Sequence, residues 1–263
     1  MSHDFYRLLT KAINKLCGHK LHAVVKEDLS YAKDNLFTTN NAPFLKEPNF
    51  LNAYKKGKET DKGFFLKGVD LEWRIHTLCW AAGYAQHLEG DFVECGVRTG
   101  FFVTSITDYL SFKDMDKRFV LIDSFTGTIP EMLSTNELKR ESHGIKPEGD
   151  WDSFYQEVTE RFSLWPNVEI VKGVVPQILE KIAFDKLAFI SLDLNSTIPE
   201  MAALEYLWDY LVPGGIIILD DYGYPGFEEQ QRAHDKFAKS RNTSVFCLPT
   251  CQGVIIKPQS GTR

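Results

Sequence analysis

The sequence lacks the features of several large functional classes. Its 263 residues carry 30 basic and 36 acidic side chains, a formal net charge of -6, so no excess of positive charge is available to attract nucleic acid. No apolar run approaches the roughly 20 residues that a membrane-spanning helix needs. The N-terminus has no basic segment followed by an apolar one, as a secretory signal would have. We therefore expect a cytoplasmic protein that binds neither nucleic acid nor membrane.

Cysteine is scarce and irregularly spaced. The five cysteines show no disulfide framework, and Cys247 and Cys251 have no further candidate zinc ligands nearby. Reduced thiols are the expected state. The hydrophobic fraction of 43% is sufficient for a buried core, and the length suits one large α/β domain with an appended segment.

Two regions of unlike character divide the chain. Residues 1–70 are polar and irregular after an amphipathic beginning, which predicts a helical and loop cap or an oligomerisation arm, the latter implying a homo-oligomer. Residues 71–263 alternate strand and helix signals and form the predicted ligand-binding domain. A polar insertion at 126–150 interrupts them, and loops of that length are typical of functional lids.

The alternation predicts a doubly wound, mostly parallel α/β sheet of seven strands. Strands are predicted at 92–95, 119–122, 168–171, 187–192, 215–219, 244–248 and 253–256. Helices are predicted at 71–88, 102–110, 151–162, 176–182, in the segment before 212 and at 227–238. A turn containing proline joins the last two strands, which are therefore expected to be antiparallel.

A glycine turn follows the first strand of this sheet. Gly96 and Gly100 would let a ligand approach the backbone N–H groups at the start of the next helix. Glu94 occupies the place of the first glycine in the dinucleotide motif G-x-G-x-x-G. An acid there favours a ligand with a cationic amino-acid end, such as S-adenosylmethionine, over a pyrophosphate. Asp123, at the end of the next strand, is placed to accept both hydroxyls of a ribose.

Three aspartates end two apolar runs. Asp193 follows the first run, and Asp220 and Asp221 follow the second. A strand, a crossover helix and a parallel neighbour would place these carboxylates on one sheet edge, because parallel strands lie about 4.8 Å apart. The ligands are all oxygen, which favours Mg²⁺ or Mn²⁺ over zinc. We predict a metal site, the alternative being aspartates that form turns or cap a helix.

Five motifs, in this order and spacing, resemble the macrocin, mycinamicin and novobiocin type of O-methyltransferase. They are Val93-Glu94-Cys95-Gly96-Val97, Asp123-Ser124-Phe125-Thr126-Gly127, Lys172-Gly173, Leu192-Asp193 and Pro213-Gly214-Gly215 with Asp220-Asp221-Tyr222-Gly223. The resemblance covers roughly residues 72–256. It implies a Rossmann-like class I methyltransferase fold, S-adenosylmethionine as cofactor and, commonly, magnesium.

The resemblance also implies roles for single residues. Asp193, Asp220 and Asp221 match the metal ligands of the family, and Asp123 matches the ribose-binding acid. We place the flanking Ser124 and Phe125 in the cofactor site, together with Glu94, Gly96 and Gly100. The family usually has a second acid and an aromatic after the first metal aspartate, whereas this chain has Asn195, Ser196 and Thr197. Arg98 replaces the usual tryptophan of the glycine turn, so the acceptor class stays open.

Methyl transfer from a sulfonium to a hydroxyl is an in-line displacement, and the hydroxyl must lose its proton. A divalent cation lowers the pKa of such a hydroxyl. The base is expected to be Asp193 or His143. For His143, the simpler interpretation is a solvated histidine in a loop. The acceptor is expected to be a small metabolite with neighbouring oxygens, a sugar diol or a catechol.

Three further polar residues are candidates for the site, and two other functions remain compatible with the sequence. Arg74 and His76 precede the first sheet strand and could face the pocket, structural pairing being the simpler interpretation, and His234 is expected to be exposed. A non-catalytic S-adenosylmethionine-binding or scaffold protein is one alternative, supported by Asn195. An NAD-dependent oxidoreductase is another, and the absent first glycine counts against it.

Overall fold

The computed structural model describes residues 29–61, 70–143 and 149–259. The predicted amphipathic beginning of the chain lies outside the described residues. Within these three ranges, every helix is too short or too polar to cross a membrane.

A small hairpin precedes the main sheet. It consists of β1 (Tyr31–Lys33) and β2 (Leu36–Thr38), which pair in antiparallel fashion. Asp34 and Asn35 form the turn with φ of 49° and 56°. Two consecutive residues with positive φ are typical of a tight two-residue hairpin turn.

Seven strands form the main sheet. They are β3 (Asp91–Cys95), β4 (Phe119–Asp123), β5 (Val168–Lys172), β6 (Leu187–Leu192), β7 (Leu211–Leu219), β8 (Phe246–Cys247) and β9 (Gly253–Ile256). Their order is β5-β4-β3-β6-β7-β9-β8. The strands from β3 to β7 run parallel, whereas β9 is antiparallel to β7, and β8 to β9. The predicted seven-stranded, mostly parallel sheet is confirmed.

Helices cover both faces of the sheet. They are α1 (Pro48–Lys58), α2 (Glu72–Ala85), α3 (Phe101–Leu110), α4 (Thr135–Ser142), α5 (Trp151–Phe162), α6 (Thr197–Trp208) and α7 (Glu228–Ser240). Successive strand residues point to opposite faces. Phe92 of β3 therefore belongs to the core under α1, α2 and α3, and Val93 to the core under α6 and α7.

Two of the predicted elements differ clearly from what the structure shows. The segment predicted as a helix at 176–182 forms turns and only a short 3₁₀ helix, Leu179–Lys181, whose apolar side chains reach the core without a full helix. Strand β7 begins at Leu211, four residues before the predicted start, because Leu187 of β6 already pairs with Leu211.

The described part of residues 1–70 shares a core with the main sheet. Phe50 and Tyr54 of α1 are buried in the same cluster as Ile75 of α2, and the Tyr54 and Phe101 rings lie 5.9 Å apart. An oligomerisation role for residues 1–70 stays a prediction.

The strand order reverses direction at β3. The chain moves from β3 to β4 and β5 on one side and returns to β6 and β7 on the other. Sheets of this type bind ligands at the carboxyl ends of the strands beside that switch point. The glycine turn after β3 and Asp193 after β6 lie on its two sides.

Candidate functional site

The glycine turn contacts the end of β6 directly. Gly96 has φ of 90°, and a Cβ added to it would lie 1.9 Å from the carbonyl oxygen of Asp193. No side chain fits at that position. The predicted cofactor turn and the first predicted metal ligand are therefore neighbours.

The Asp123 carboxylate closes the same turn. Its Oδ2 accepts the N–H groups of Val97 and Arg98 at 2.7 and 2.8 Å, and its Oδ1 accepts that of Phe125 at 2.7 Å. Burial raises the pKa of Asp123, while the three N–H groups act in the opposite direction. The carboxylate thus fixes the backbone of both predicted cofactor loops, a role that the sequence did not reveal. Its contact with a ribose stays a prediction.

Glu94 is a buried acid without a hydrogen-bond partner among the described residues. It is 1% exposed, and neither of its carboxylate oxygens is bonded there. Burial raises its pKa well above the ordinary value, and the charges of Asp123 and Asp220 add to the effect. A buried, unpaired polar group is costly. Pairing with a cationic ligand would therefore remove this cost for Glu94.

Asp193, Asp220 and Asp221 lie together at the sheet edge. One carboxylate oxygen from each lies within 4.8 Å of the others. Burial raises the pKa of Asp193 well above its ordinary value and that of Asp221 to about 8, and the neighbouring charge of Asp220 adds to both shifts. Three hard oxygen donors that repel one another suit a hard divalent cation. The residues present therefore fit magnesium. We call this group the acidic rim.

Asp220 has two further partners that the sequence did not indicate. Its Oδ2 accepts Arg74 Nη1 and its Oδ1 accepts Gln252 Nε2, both at 2.9 Å. Arg74 is 7% exposed and also donates to Asp34 in the hairpin turn. Arg74 thus contacts the acidic rim and also forms the structural ion pair with Asp34 that the simpler interpretation expected.

Asn195 supports the acidic rim rather than standing apart from it. Its Nδ2 donates to Asp193 Oδ1 at 2.9 Å, and it has φ of 57°. The amide thereby orients the Asp193 carboxylate. The carbonyl oxygen of Asn195 accepts Arg140 Nη2 from the insertion.

The part of the insertion from 126 to 143 contacts the loops beside the acidic rim. Glu137, which is 2% exposed, completes a capping box with Ser134 at the start of α4. Its Oε1 also accepts both the N–H and the hydroxyl of Thr197 at 2.7 Å. The guanidinium of Arg140 lies 3.8 Å from the centre of the Phe227 ring. These contacts join the insertion to the loops that follow β6 and β7.

Two of the histidines, His143 and His76, make their described contacts away from the acidic rim. His143 is exposed at the end of α4, with its Nδ1 2.6 Å from the carbonyl oxygen of Lys139. The described contacts do not bring it to the acidic rim, and its role as a base stays a prediction. His76 stacks on Phe44 at 3.9 Å, which is structural packing.

The expectation for His234 was wrong. It is fully buried, and its Nε2 lies 3.1 Å from Glu200 Oε1. Helix α7 buries Gln230 and His234 together with the apolar Phe237 and Ala238, so its buried face is not recognisable as an apolar stripe in the sequence.

One cleft joins these parts. It is lined by Gly96, Asp123, Ser124, Gly173, Trp151 and Asp193. Ile129 and Met132 of the insertion add apolar surface. The cofactor loops and one member of the acidic rim therefore face the same space.

The sequence matches the macrocin-O-methyltransferase (TylF) family over residues 20–245. No curated protein matches the chain. The structure is similar to that of the O-methyltransferase NovP, with a TM-score of 0.59 and 17% identity over 79% of this chain and 88% of that one. It is also similar to the calicheamicin methyltransferase CalS11, with a TM-score of 0.52 and 16% identity over 82% and 94% of the two chains.

The S-adenosylhomocysteine-bound methyltransferase PaMTH1 from Podospora anserina covers more of the chain. Its TM-score is 0.53 at 12% identity, over 98% of this chain and 97% of that one. Identities this low show the fold, and the family match shows the relationship. The chain belongs to the macrocin O-methyltransferase family and is a class I methyltransferase that uses S-adenosylmethionine.

Proposed function

We propose that the protein transfers a methyl group from S-adenosylmethionine to a hydroxyl of a small acceptor with neighbouring oxygens, a sugar diol or a catechol. Mg²⁺ at the acidic rim would assist the transfer. The observation that carries this proposal is the contact of Gly96 with Asp193, since the cofactor turn and this member of the acidic rim line one cleft.

Glu94 and Asp123 are the proposed anchors of the cofactor. Glu94 has two buried carboxylate oxygens without partners in the described ranges, which suits the α-ammonium group of the cofactor. Asp123 holds the turn and keeps lone pairs that can accept ribose hydroxyls. Gly96 and Gly100 allow the turn to pack closely against Asp193 and against helix α5. Ser124 and Phe125 belong to the loop after β4.

The acidic rim would bind Mg²⁺ through Asp193, Asp220 and Asp221. When bound, the ion lowers the pKa of a hydroxyl, and the cofactor supplies an electrophilic methyl group. Asp193 is the proposed base, because the Asn195 amide orients its carboxylate and burial raises its pKa, so that it accepts a proton more readily than an exposed aspartate. His143 is the weaker candidate because it is exposed.

The acceptor class follows from the donor set. Three carboxylates leave coordination positions on one cation for two acceptor oxygens. The name of the matched family supports transfer to oxygen. The packed insertion, with Ile129 and Met132 in the cleft, would keep water from the reacting groups.

Calorimetry with S-adenosylmethionine and its demethylated product tests the cofactor site. Mass spectrometry of methyl transfer to a panel of sugar diols and catechols, with Mg²⁺ or with EDTA, tests the reaction. We expect Asp221→Asn to abolish turnover and to leave cofactor affinity within about threefold. Asp152→Asn is the matched control, because Asp152 has a side chain 86% exposed and pairs only with Lys172 among the described residues.

Two outcomes would contradict the proposal. Absence of cofactor binding would refute it entirely, and activity insensitive to both EDTA and Asp221→Asn would refute the metal. Cofactor binding without any product would favour the non-catalytic alternative that Asn195 suggests. The NAD-dependent alternative is not retained, because the chain belongs to an O-methyltransferase family.

A further inference from the structure

A buried arginine connects the hairpin to the acidic rim. Arg74 on α2 donates through Nη1 to Asp220 Oδ2 at 2.9 Å, and the same nitrogen lies 3.8 Å from Asp221 Oδ1. Its Nε and Nη2 donate to the two oxygens of Asp34 at 2.8 and 3.1 Å. The side chains of Arg74 and Asp34 are 8% and 6% exposed.

We propose that the hairpin β1–β2, acting through Asp34 and Arg74, sets the affinity of the acidic rim for a divalent cation. Arg74 is a positioning residue, since it acts on the ion through Asp220 and Asp221. This inference rests on the proposed metal site and adds the element that tunes it.

Arg74 shares carboxylates with any ion in the acidic rim. Its fixed positive charge lies at hydrogen-bond distance from one of the three proposed ligands and close to a second, so it repels an incoming cation. The same contact, together with the Gln252 amide on the other oxygen, fixes the orientation of Asp220. The guanidinium of Arg74 therefore has two effects: it fixes the orientation of the Asp220 carboxylate, and it lowers the affinity of that carboxylate for a cation.

Asp34 decides how much of that positive charge remains uncompensated. Its carboxylate forms a two-point contact with the guanidinium, the strong geometry for this pair. The hairpin is held in place by another contact, from the Tyr31 hydroxyl to Glu72 Oε2 at 3.0 Å on α2. A docked hairpin thus presents a carboxylate that offsets Arg74 and permits tighter cation binding.

A purely structural ion pair would look similar in the static structure and differs in one measurable respect. Loss of a structural pair changes the melting temperature, whereas loss of a tuning pair also changes the dissociation constant of the ion. The two readouts are therefore measured on the same samples.

The experiment measures Mn²⁺ binding to the full chain at pH 8 by electron paramagnetic resonance of the free ion, with thermal melts alongside. The variants are Asp34→Asn, the neutral pair Asp34→Asn with Arg74→Gln, and Asp221→Asn. Asp152→Asn is the control, because Asp152 is exposed and pairs with Lys172, away from both the hairpin and Arg74.

We expect Asp34→Asn to raise the Mn²⁺ dissociation constant roughly three- to tenfold, since it leaves the charge of Arg74 uncompensated. The neutral pair should bind Mn²⁺ more tightly than the wild-type protein by about threefold or more, because Arg74 is nearer to the acidic rim than Asp34. Asp152→Asn should stay within about twofold of the wild-type protein.

Failure of this inference is distinguishable from failure of the proposed function. Equal dissociation constants for the wild-type protein, Asp34→Asn and the neutral pair would overturn the inference, while loss of Mn²⁺ binding in Asp221→Asn would leave the metal site standing. An equal shift in Asp34→Asn and Asp152→Asn would also overturn it. If Asp34→Asn does not fold, the comparison of the neutral pair with the wild-type protein decides. Absence of Mn²⁺ binding to the wild-type protein, with cofactor binding intact, would refute both the inference and the metal but not methyl transfer.

Discussion

Replacement of Asp123 by alanine tests whether one carboxylate holds the cofactor turn. The change removes the acceptor for three backbone N–H groups, those of Val97, Arg98 and Phe125, at 2.7 to 2.8 Å. Hydrogen bonds to a charged group each contribute about 1.5–3 kcal/mol. Because Asp123 is 8% exposed, water cannot easily replace them without local rearrangement.

The sum of three such bonds is an upper bound, since the turn relaxes and contributions are not additive. We expect Asp123→Ala to cost about 3–5 kcal/mol of unfolding free energy. For a chain of this size, that corresponds to a decrease in melting temperature of roughly 6–20 °C. Asp123→Asn keeps one acceptor oxygen and should lose about half as much.

The assay combines thermal melts followed by circular dichroism with calorimetry of S-adenosylmethionine binding, and Asp152→Asn is the control. Cofactor affinity should fall at least about tenfold in Asp123→Asn, because the turn and the ribose would lose the same carboxylate. The reasoning is refuted if Asp123→Ala melts within about 2 °C of the wild-type protein. Loss of cofactor binding without loss of stability would indicate that Asp123 contacts the cofactor and does not stabilise the turn.

Three further predictions concern the acidic rim and the insertion. Without a cation, the pKa of Asp221 is about 8 in the folded chain against an ordinary 3.8, so the folded state keeps its proton to higher pH than the unfolded state. Stability in EDTA should therefore fall as pH rises from about 4 to about 8, and Mg²⁺ should raise the melting temperature more at pH 8 than at pH 6. Asp221→Asn should reduce both trends without removing the first, because Asp193 and Glu94 keep raised pKa values. Glu137→Ala should speed amide hydrogen exchange in 126–143 and around Thr197 while Ser142→Ala should not, and equal exchange in both would contradict the docking role. Gly96→Ala should abolish cofactor binding, because its Cβ would lie 1.9 Å from a backbone oxygen, and unchanged calorimetry would contradict the close packing.

The sheet could be predicted because its signals are local. Apolar runs such as 187–192 predict buried strands, and the aspartates after them place polar groups at the carboxyl edge. The meeting of Asp193 with Asp220 and Asp221 then follows from parallel pairing of β6 and β7 alone. No long-range side-chain contact had to be known.

The environment of the acidic rim could not be predicted in the same way. Asp34, Arg74, Asp220 and Gln252 come from four distant segments, and their contacts depend on how a hairpin and an edge strand pack. The burial of His234 likewise depends on its pairing with Glu200 across two helices. Such partners are set by tertiary geometry, which composition and periodicity do not encode residue by residue.

Cellular location and oligomeric state are not determined by the structure of one chain. The cytoplasmic location and the homo-oligomer stay predictions. Chromatography with light scattering, on the full chain and on a chain shortened by residues 1–28, would test whether the N-terminal segment mediates assembly. A monomer in both cases would contradict the arm interpretation.

The contact between Glu137 and Thr197 links access to the cleft with the order of helix α6. The first N–H group of that helix receives its acceptor from the insertion rather than from its own chain neighbours. If the insertion moved away, the N–H group and the hydroxyl of Thr197 would lose Glu137 as their acceptor and would have to bind water. Displacement of the insertion would therefore hydrate the loop that holds Asn195, whose amide donates to Asp193.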